Sequence, residues 1–128
     1  MAIIARNLSK TFDGGKTYAL RDVNVEVKQG EFVAVIGLSG AGKSTFLRAI
    51  NGVHVPSGGR MEVLGKAVEK LSRQDLVTLR SQIGFIFQQF NLVKSLTAMQ
   101  NVLCGRVAYV PRWRALTWVK ECYGPAFE

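Results

Sequence analysis

The octapeptide Gly37-Leu38-Ser39-Gly40-Ala41-Gly42-Lys43-Ser44, followed by Thr45, constrains this chain more than any other stretch. It fits the pattern G-x-x-x-x-G-K-[ST], which acquires meaning only between an apolar strand and a helix. Both flanks are present. Phe32-Val33-Ala34-Val35-Ile36 is a continuous apolar run rich in β-branched residues, which predicts a short strand buried on both faces. Lys43 to Asn51 reads as a helix with Phe46, Leu47 and Ile50 on one side, and Gly52 stands where a left-handed stop costs little.

The chemistry follows from that turn. Gly37, Gly40 and Gly42 carry no Cβ, so the backbone can take unusual dihedrals and press its N–H groups against phosphate oxygens. Those groups lie at the start of a helix, where unsatisfied donors and the positive dipole end favour an anion. In such a loop the Lys43 ammonium reaches the β- and γ-phosphates of a nucleotide, and the Ser44 hydroxyl coordinates the Mg²⁺ that bridges them. The candidate binding set is therefore Gly37, Ser39, Gly40, Ala41, Gly42, Lys43, Ser44 and Thr45. The bland alternative, a glycine-rich turn with an incidental lysine, needs fixed residues, strand and helix to coincide by accident.

The 128 residues suit one domain, and 48% hydrophobic composition excludes a disordered chain. No apolar run approaches the roughly 18 residues that span a bilayer, and Arg6 and Lys10 arrive without a signal-peptide pattern, so a soluble or peripheral cytosolic protein is expected. Cys104 and Cys122 have no metal-ligand spacing, and His54 has no ligand partners nearby in sequence. The net charge of +8 predicts anionic company, but the basic residues are dispersed, so no nucleic-acid partner is expected.

Along the chain, Ile3 to Leu8 reads as a strand and Asp13-Gly14-Gly15 as a turn. Val23, Val25 and Val27 alternate with polar residues, the period of a half-buried strand. An antiparallel layer beside the loop is predicted. Phe12 lies between these strands. Its ring either stacks on an adenine, an interaction worth about 1–3 kcal/mol per base, or packs in the core, and Tyr18 is the competing ring. Pro56 to Gly59 is a turn, Arg60 to Leu64 opens a hairpin closed after Gly65, and Ser72 caps a helix from Arg73 with Leu76 and Leu79 on its buried side. Ile83 to Phe87 predicts a second apolar strand, ending in a polar loop from Gln88 to Leu92. Thr97 caps a helix through Leu103 that Gly105 ends. The segment around Trp113 and Trp118 suits a membrane surface, a partner helix or a short buried helix.

Ser39 to Arg48 taken together with Phe87-Gln88-Gln89-Phe90-Asn91-Leu92-Val93 resembles the ATP-binding subunits of ABC transporters, with Gln88 at the Q-loop glutamine. Lys10-Thr11-Phe12 matches the place where that family puts its adenine-stacking aromatic. Leu20-Arg21-Asp22-Val23 and Leu96 to Val102 also match, although many members have Glu where this chain has Gln100. Phe87 to Val93 with Asn101 to Arg106 and Trp113-Arg114 looks like the phosphonate-importer ATPases.

The resemblance implies an α/β P-loop NTPase core with an amino-terminal antiparallel β layer, incomplete, spanning 1–120, followed by a divergent tail, 121–128. It implies ATP and Mg²⁺ as ligands, Ser44 and Gln88 at the metal, and Gln88 positioning water. Implied partners are membrane permease subunits and a second ATP-binding subunit, at the cytoplasmic face of the membrane. Subunits of this type are roughly twice as long, and the LSGGQ signature, Walker B strand with catalytic Glu, and switch His do not occur in these residues. An amino-terminal fragment without catalytic residues of its own, inactive alone, is expected. The alternatives are a non-catalytic or non-functional P-loop fragment, or a small P-loop kinase, against which Gln88 argues.

Overall fold

The structure, a computed structural model, describes residues 2–88, 92–105 and 109. Its backbone divides into two compact units, Met1–Ile83 and Gly84–Glu128. The first carries a four-stranded antiparallel sheet of β1 (Ile3–Thr11), β2 (Tyr18–Val27), β3 (Gly58–Val63) and β4 (Lys66–Ala67), in the order β2-β1-β3-β4. The predicted antiparallel layer is this sheet. Helices α1 (Lys43–Ile50) and α2 (Arg73–Ser81) belong to the same unit.

A matched pair of bulges shapes the β1–β2 ribbon. Asn7 (φ 49°) and Asp22 (φ 48°) both take left-handed backbone conformations, and the β1–β2 register shifts between Ala5 and Leu8. An extra residue in a strand moves every later side chain to the opposite face. Ala5 and Leu8 are thus both buried, as are Leu20 and, in part, Val23 and Val25. Polar side chains replace the interrupted ladder: the Asn7 amide N–H donates to Asn24 Oδ1 at 2.9 Å, Asn7 Nδ2 to Asp22 Oδ1 at 2.6 Å, and the Asp22 N–H to Ser9 Oγ at 3.0 Å.

The core joins Leu8 of β1, Met61 and Val63 of β3, Phe46 and Ala49 of α1 and Leu79 of α2. Leu76 packs against it, so the predicted inner face of α2 is observed, and the Ser72 hydroxyl accepts from the Asp75 N–H as a cap. Of the residues expected on the inner side of α1, Phe46 is buried and Ile50 packs on the core, whereas Leu47 is 44% exposed. Gly52 (φ 64°) ends α1 in the left-handed region as expected. Arg80 reaches from α2 to the same end, donating through Nε to Asn51 O at 3.0 Å and through Nη2 to Gly52 O at 2.9 Å. A guanidinium there satisfies terminal carbonyls and opposes the negative dipole end.

Two predicted strands are absent from the sheet. Phe32 to Ile36 pairs with no strand among the described residues, and Phe32 and Ile36 are 93% and 92% exposed. Ile83 to Phe87 likewise joins no sheet, and Ile86 is 97% exposed. The physical reason is that a central strand needs neighbours on both sides to bond its N–H and C=O groups, and none of the described strands flanks either run.

In the second unit α3 (Ala98–Cys104) is capped as predicted at Thr97 and ends at Gly105. Gln100 returns the bond, accepting the Thr97 N–H at 2.8 Å, so the glutamine serves the capping box as a glutamate would. Asn101 holds the preceding loop, accepting from the Val93 N–H at 2.9 Å and donating to the carbonyls of Val93, Leu96 and Thr97. The loop residues Gln89 to Asn91, the Trp113 segment and the tail 121–128 lie outside the described residues. Among those described, no helix is long and apolar enough to cross a membrane.

Candidate functional site

The glycine-rich loop leads into α1 in the manner its residues demand. Gly40 (φ 81°) and Gly42 (φ 83°) both sit in the left-handed region, and Gly42 is the residue from which the helix starts. At Gly42 the absence of a side chain is required twice over. A Cβ there would collide with the carbonyl oxygen of Ala19 and press on Leu20 Cδ2 at 3.0 Å. The loop is therefore seated directly on the backbone of β2.

The helix opens with donors to spare. The Phe46 N–H makes the first i to i−4 bond, to Gly42 O at 2.9 Å, so the N–H groups of Lys43, Ser44 and Thr45 precede it, and no side chain caps this end. No acidic residue occupies the first turn, leaving the positive dipole end without a competing carboxylate. Lys43 folds its ammonium over the loop, donating to Gly37 O at 2.7 Å and Leu38 O at 2.6 Å. A cation, free amides and two hydroxyls, Ser44 and Thr45, are thus brought together within one turn of helix. This donor set matches the oxygens of a polyphosphate, and the exposed Ser44 hydroxyl is of the kind Mg²⁺ accepts as ligand.

Phe12 follows the last residue of β1 and is 63% exposed, so it is not a core residue. Strand pairing sets Thr11 opposite Tyr18 and Lys10 opposite Leu20, with Ala19 between them, so Phe12 stands at the end of the ribbon on which Gly42 rests. The turn beyond it is fixed by Asp13, whose Oδ1 accepts from the Thr17 N–H at 2.8 Å and the Thr11 hydroxyl at 2.7 Å. Those two bonds hold the Asp13 carboxyl well below the usual carboxylate range, the Thr17 amide contributing most. Tyr18 is engaged otherwise, with the Arg21 guanidinium 4.7 Å above its ring.

His54 and Lys10 complete the surroundings of Phe12. The imidazole meets the phenyl ring edgewise, with centroids 5.1 Å apart at 77°, and the Lys10 Nζ lies 5.1 Å from the ring centroid while donating to Val55 O at 2.7 Å. Desolvation, then the charges of Arg48 and Lys10, push the His54 pKa down. Sequence reasoning gave His54 no role, because nothing local in the sequence shows that the loop after α1 folds back onto β1. Ala19 was equally hidden, since its contribution is a carbonyl.

Gln88 belongs to the second unit and is exposed there. Beside the loop, a cavity of about 550 Å³ is lined by Val23, Val25 and Val27 of β2, Phe46 and Ile50 of α1, and Val33 and Val35. Its walls are mostly aliphatic, and Gly42 and Lys43 of the loop line it as well, together with Glu31.

Comparison with known proteins agrees with this geometry. The ABC transporter family profile matches residues 20–124. The phosphonates import ATP-binding protein PhnC of Lactobacillus acidophilus is 50% identical over 125 residues, covering 96% of this chain and 48% of that protein. The protein of the same name from Staphylococcus aureus is 43% identical over 109 residues, or 85% of this chain and 42% of its own length. Among solved structures, the dimeric post-hydrolysis ATP-binding cassette MJ0796 bound to ADP and Pi superposes with a TM-score of 0.75 at 35% identity, over 92% of this chain and 54% of that one. The cbiO1 subunit from Clostridium perfringens gives 0.68 at 32% identity, over 93% of this chain and 47% of its own. The chain spans about half the length of the curated relatives it matches. With the profile covering most of the sequence and the loop seated at a helix start, the chain belongs to the ABC transporter family.

Proposed function

We propose that this chain is the nucleotide-binding half of an ATP-binding subunit that, when complete, couples ATP hydrolysis to import of phosphonate or a related oxyanion. The observation that carries the reading is the start of α1, where free N–H groups, Lys43 and Ser44 converge on a loop that Ala19 seats against the sheet. In this reading the amides of Gly40 to Thr45 bind phosphate oxygens, and Lys43 exchanges its carbonyl partners for the β- and γ-phosphates. Ser44 would hold Mg²⁺, which would supply charge neutralisation, and the family resemblance alone adds Gln88 as a second ligand. Gln88 orients water, and Phe12 stacks on the base. Membrane permease subunits and a second ATP-binding subunit are the proposed partners, at the cytoplasmic face of the membrane. The substrate class rests on the names of the relatives alone.

Equilibrium ATP binding to the 128-residue chain tests the assignment. Lys43→Ala removes a charge-assisted bond typically worth about 1.5–3 kcal/mol, so affinity falls roughly ten- to a hundredfold. Unchanged affinity sinks the role given to the loop. A non-catalytic reading of this chain by itself is favoured by one observation, the exposure of Phe32 and Ile36 where a complete core is expected to cover them.

A further inference from the structure

We propose that His54 is a positioning residue that holds the Phe12 ring for base stacking, so that binding of the base, unlike binding of the phosphates, depends on the protonation of this imidazole. The inference rests on the nucleotide-binding reading above and adds to it a residue that no motif assigns.

The imidazole is held from two sides. The N–H groups of Val53 and His54 both donate to Arg48 O in the last turn of α1, at 2.9 and 3.2 Å. The helix that presents Lys43 and Ser44 at its start therefore fixes His54 at its end. From the other side, the Ser57 N–H bonds Ser9 O at 2.9 Å and the Thr11 N–H bonds Ser57 Oγ at 3.2 Å, which fastens the 53–57 loop to β1 beside Phe12. The Phe12 ring is mostly exposed, and it meets the imidazole of His54 and the ammonium of Lys10.

An exposed aromatic side chain that must meet a base pays rotamer entropy unless a neighbour holds it beforehand. An edge-to-face partner is suited to that task. The charged groups facing His54 are Lys10 from β1 and Arg48 from α1, both cationic. Protonation places a third positive charge among them, and in the proposal its repulsion from Lys10 and Arg48 outweighs the attraction of the imidazolium to the ring and moves the imidazole off it.

The test compares ATP with inorganic tripolyphosphate, which has the phosphates and no base, on the full chain between about pH 5 and 8. His54→Ala is expected to weaken ATP about two- to tenfold at the alkaline end and leave tripolyphosphate unchanged. His54→Phe, which keeps an aromatic edge and cannot titrate, restores ATP affinity and removes the acid-side loss of base-dependent affinity seen in the wild type. Equal weakening of both ligands by His54→Ala overturns the proposal, as does unchanged ATP binding, or a His54→Phe chain with the wild-type pH profile. If the wild type binds neither ligand, the nucleotide reading itself fails and this inference with it.

Discussion

Gly42 lies against the carbonyl oxygen of Ala19 so closely that no side chain fits between them. This contact transmits the position of β2 to the first turn of α1, and through it to Lys43 and Ser44. A phosphate loop made of glycines would otherwise have many conformations to lose on binding. Resting on strand backbone at Gly42, it has fewer to lose.

Gly42→Ala is therefore expected to do more than remove flexibility. The substitution places a Cβ at φ 83° and into backbone, which cannot move aside as a side-chain tip can. Left-handed strain alone costs about 1–3 kcal/mol for a non-glycine residue. Chemical denaturation should show a loss of at least this size, with ATP affinity reduced in whatever remains folded; a variant as stable as the wild type would mean the Ala19 contact is slack.

Phe12→Ala separates two roles that a ring can have. At 63% exposure the side chain contributes little to the core, so the melting temperature should hardly change. Stacking tolerates any base with a π-face, so ATP and GTP should weaken alike, by about 1–3 kcal/mol. Loss of stability with unchanged binding would return Phe12 to a packing role.

What could be read from the sequence depended on the range of the interaction. The caps at Ser72 and Thr97 are decided within four residues, and both helices begin where those side chains foretell. The phosphate loop is equally local, because its glycines, lysine and helix are contiguous. Phe32 to Ile36 failed for the opposite reason: its composition speaks for burial, but burial requires strands that the described residues do not supply. The bulges at Asn7 and Asp22 were illegible because each depends on side chains across the ribbon, and the contacts of His54 depend on a loop returning to a distant strand.

Acid should act on the Phe12 end of the unit in two separate windows. His54 has a folded pKa below its ordinary 6.5, so the unfolded chain binds the proton first and stability is lost as pH falls from 6.5 toward the folded value. Asp13 has a folded pKa below its ordinary 3.8; its contribution is complete above that value and is lost only as pH falls further. Melting temperatures measured against pH should show His54→Phe flattening the first window and Asp13→Asn the second. A first window that survives His54→Phe would assign it to another group.

The unpaired run has consequences for the isolated chain. Phe32 and Ile36 present large apolar side chains to water beside backbone groups that no described strand bonds. Edges of this kind invite association with other chains. The family resemblance further implies that activating water and closing over the γ-phosphate need a Walker B glutamate and a signature motif, neither of which occurs in these residues. The purified chain should therefore bind a hydrophobic dye, aggregate at modest concentration, and show no ATPase activity above a Lys43→Ala control. Replacing Phe32 and Ile36 with Lys should raise solubility without restoring activity, because the charges shield the edge and supply no catalytic group. Lys43-dependent turnover by the wild type would show that the described strands suffice to support the chemistry.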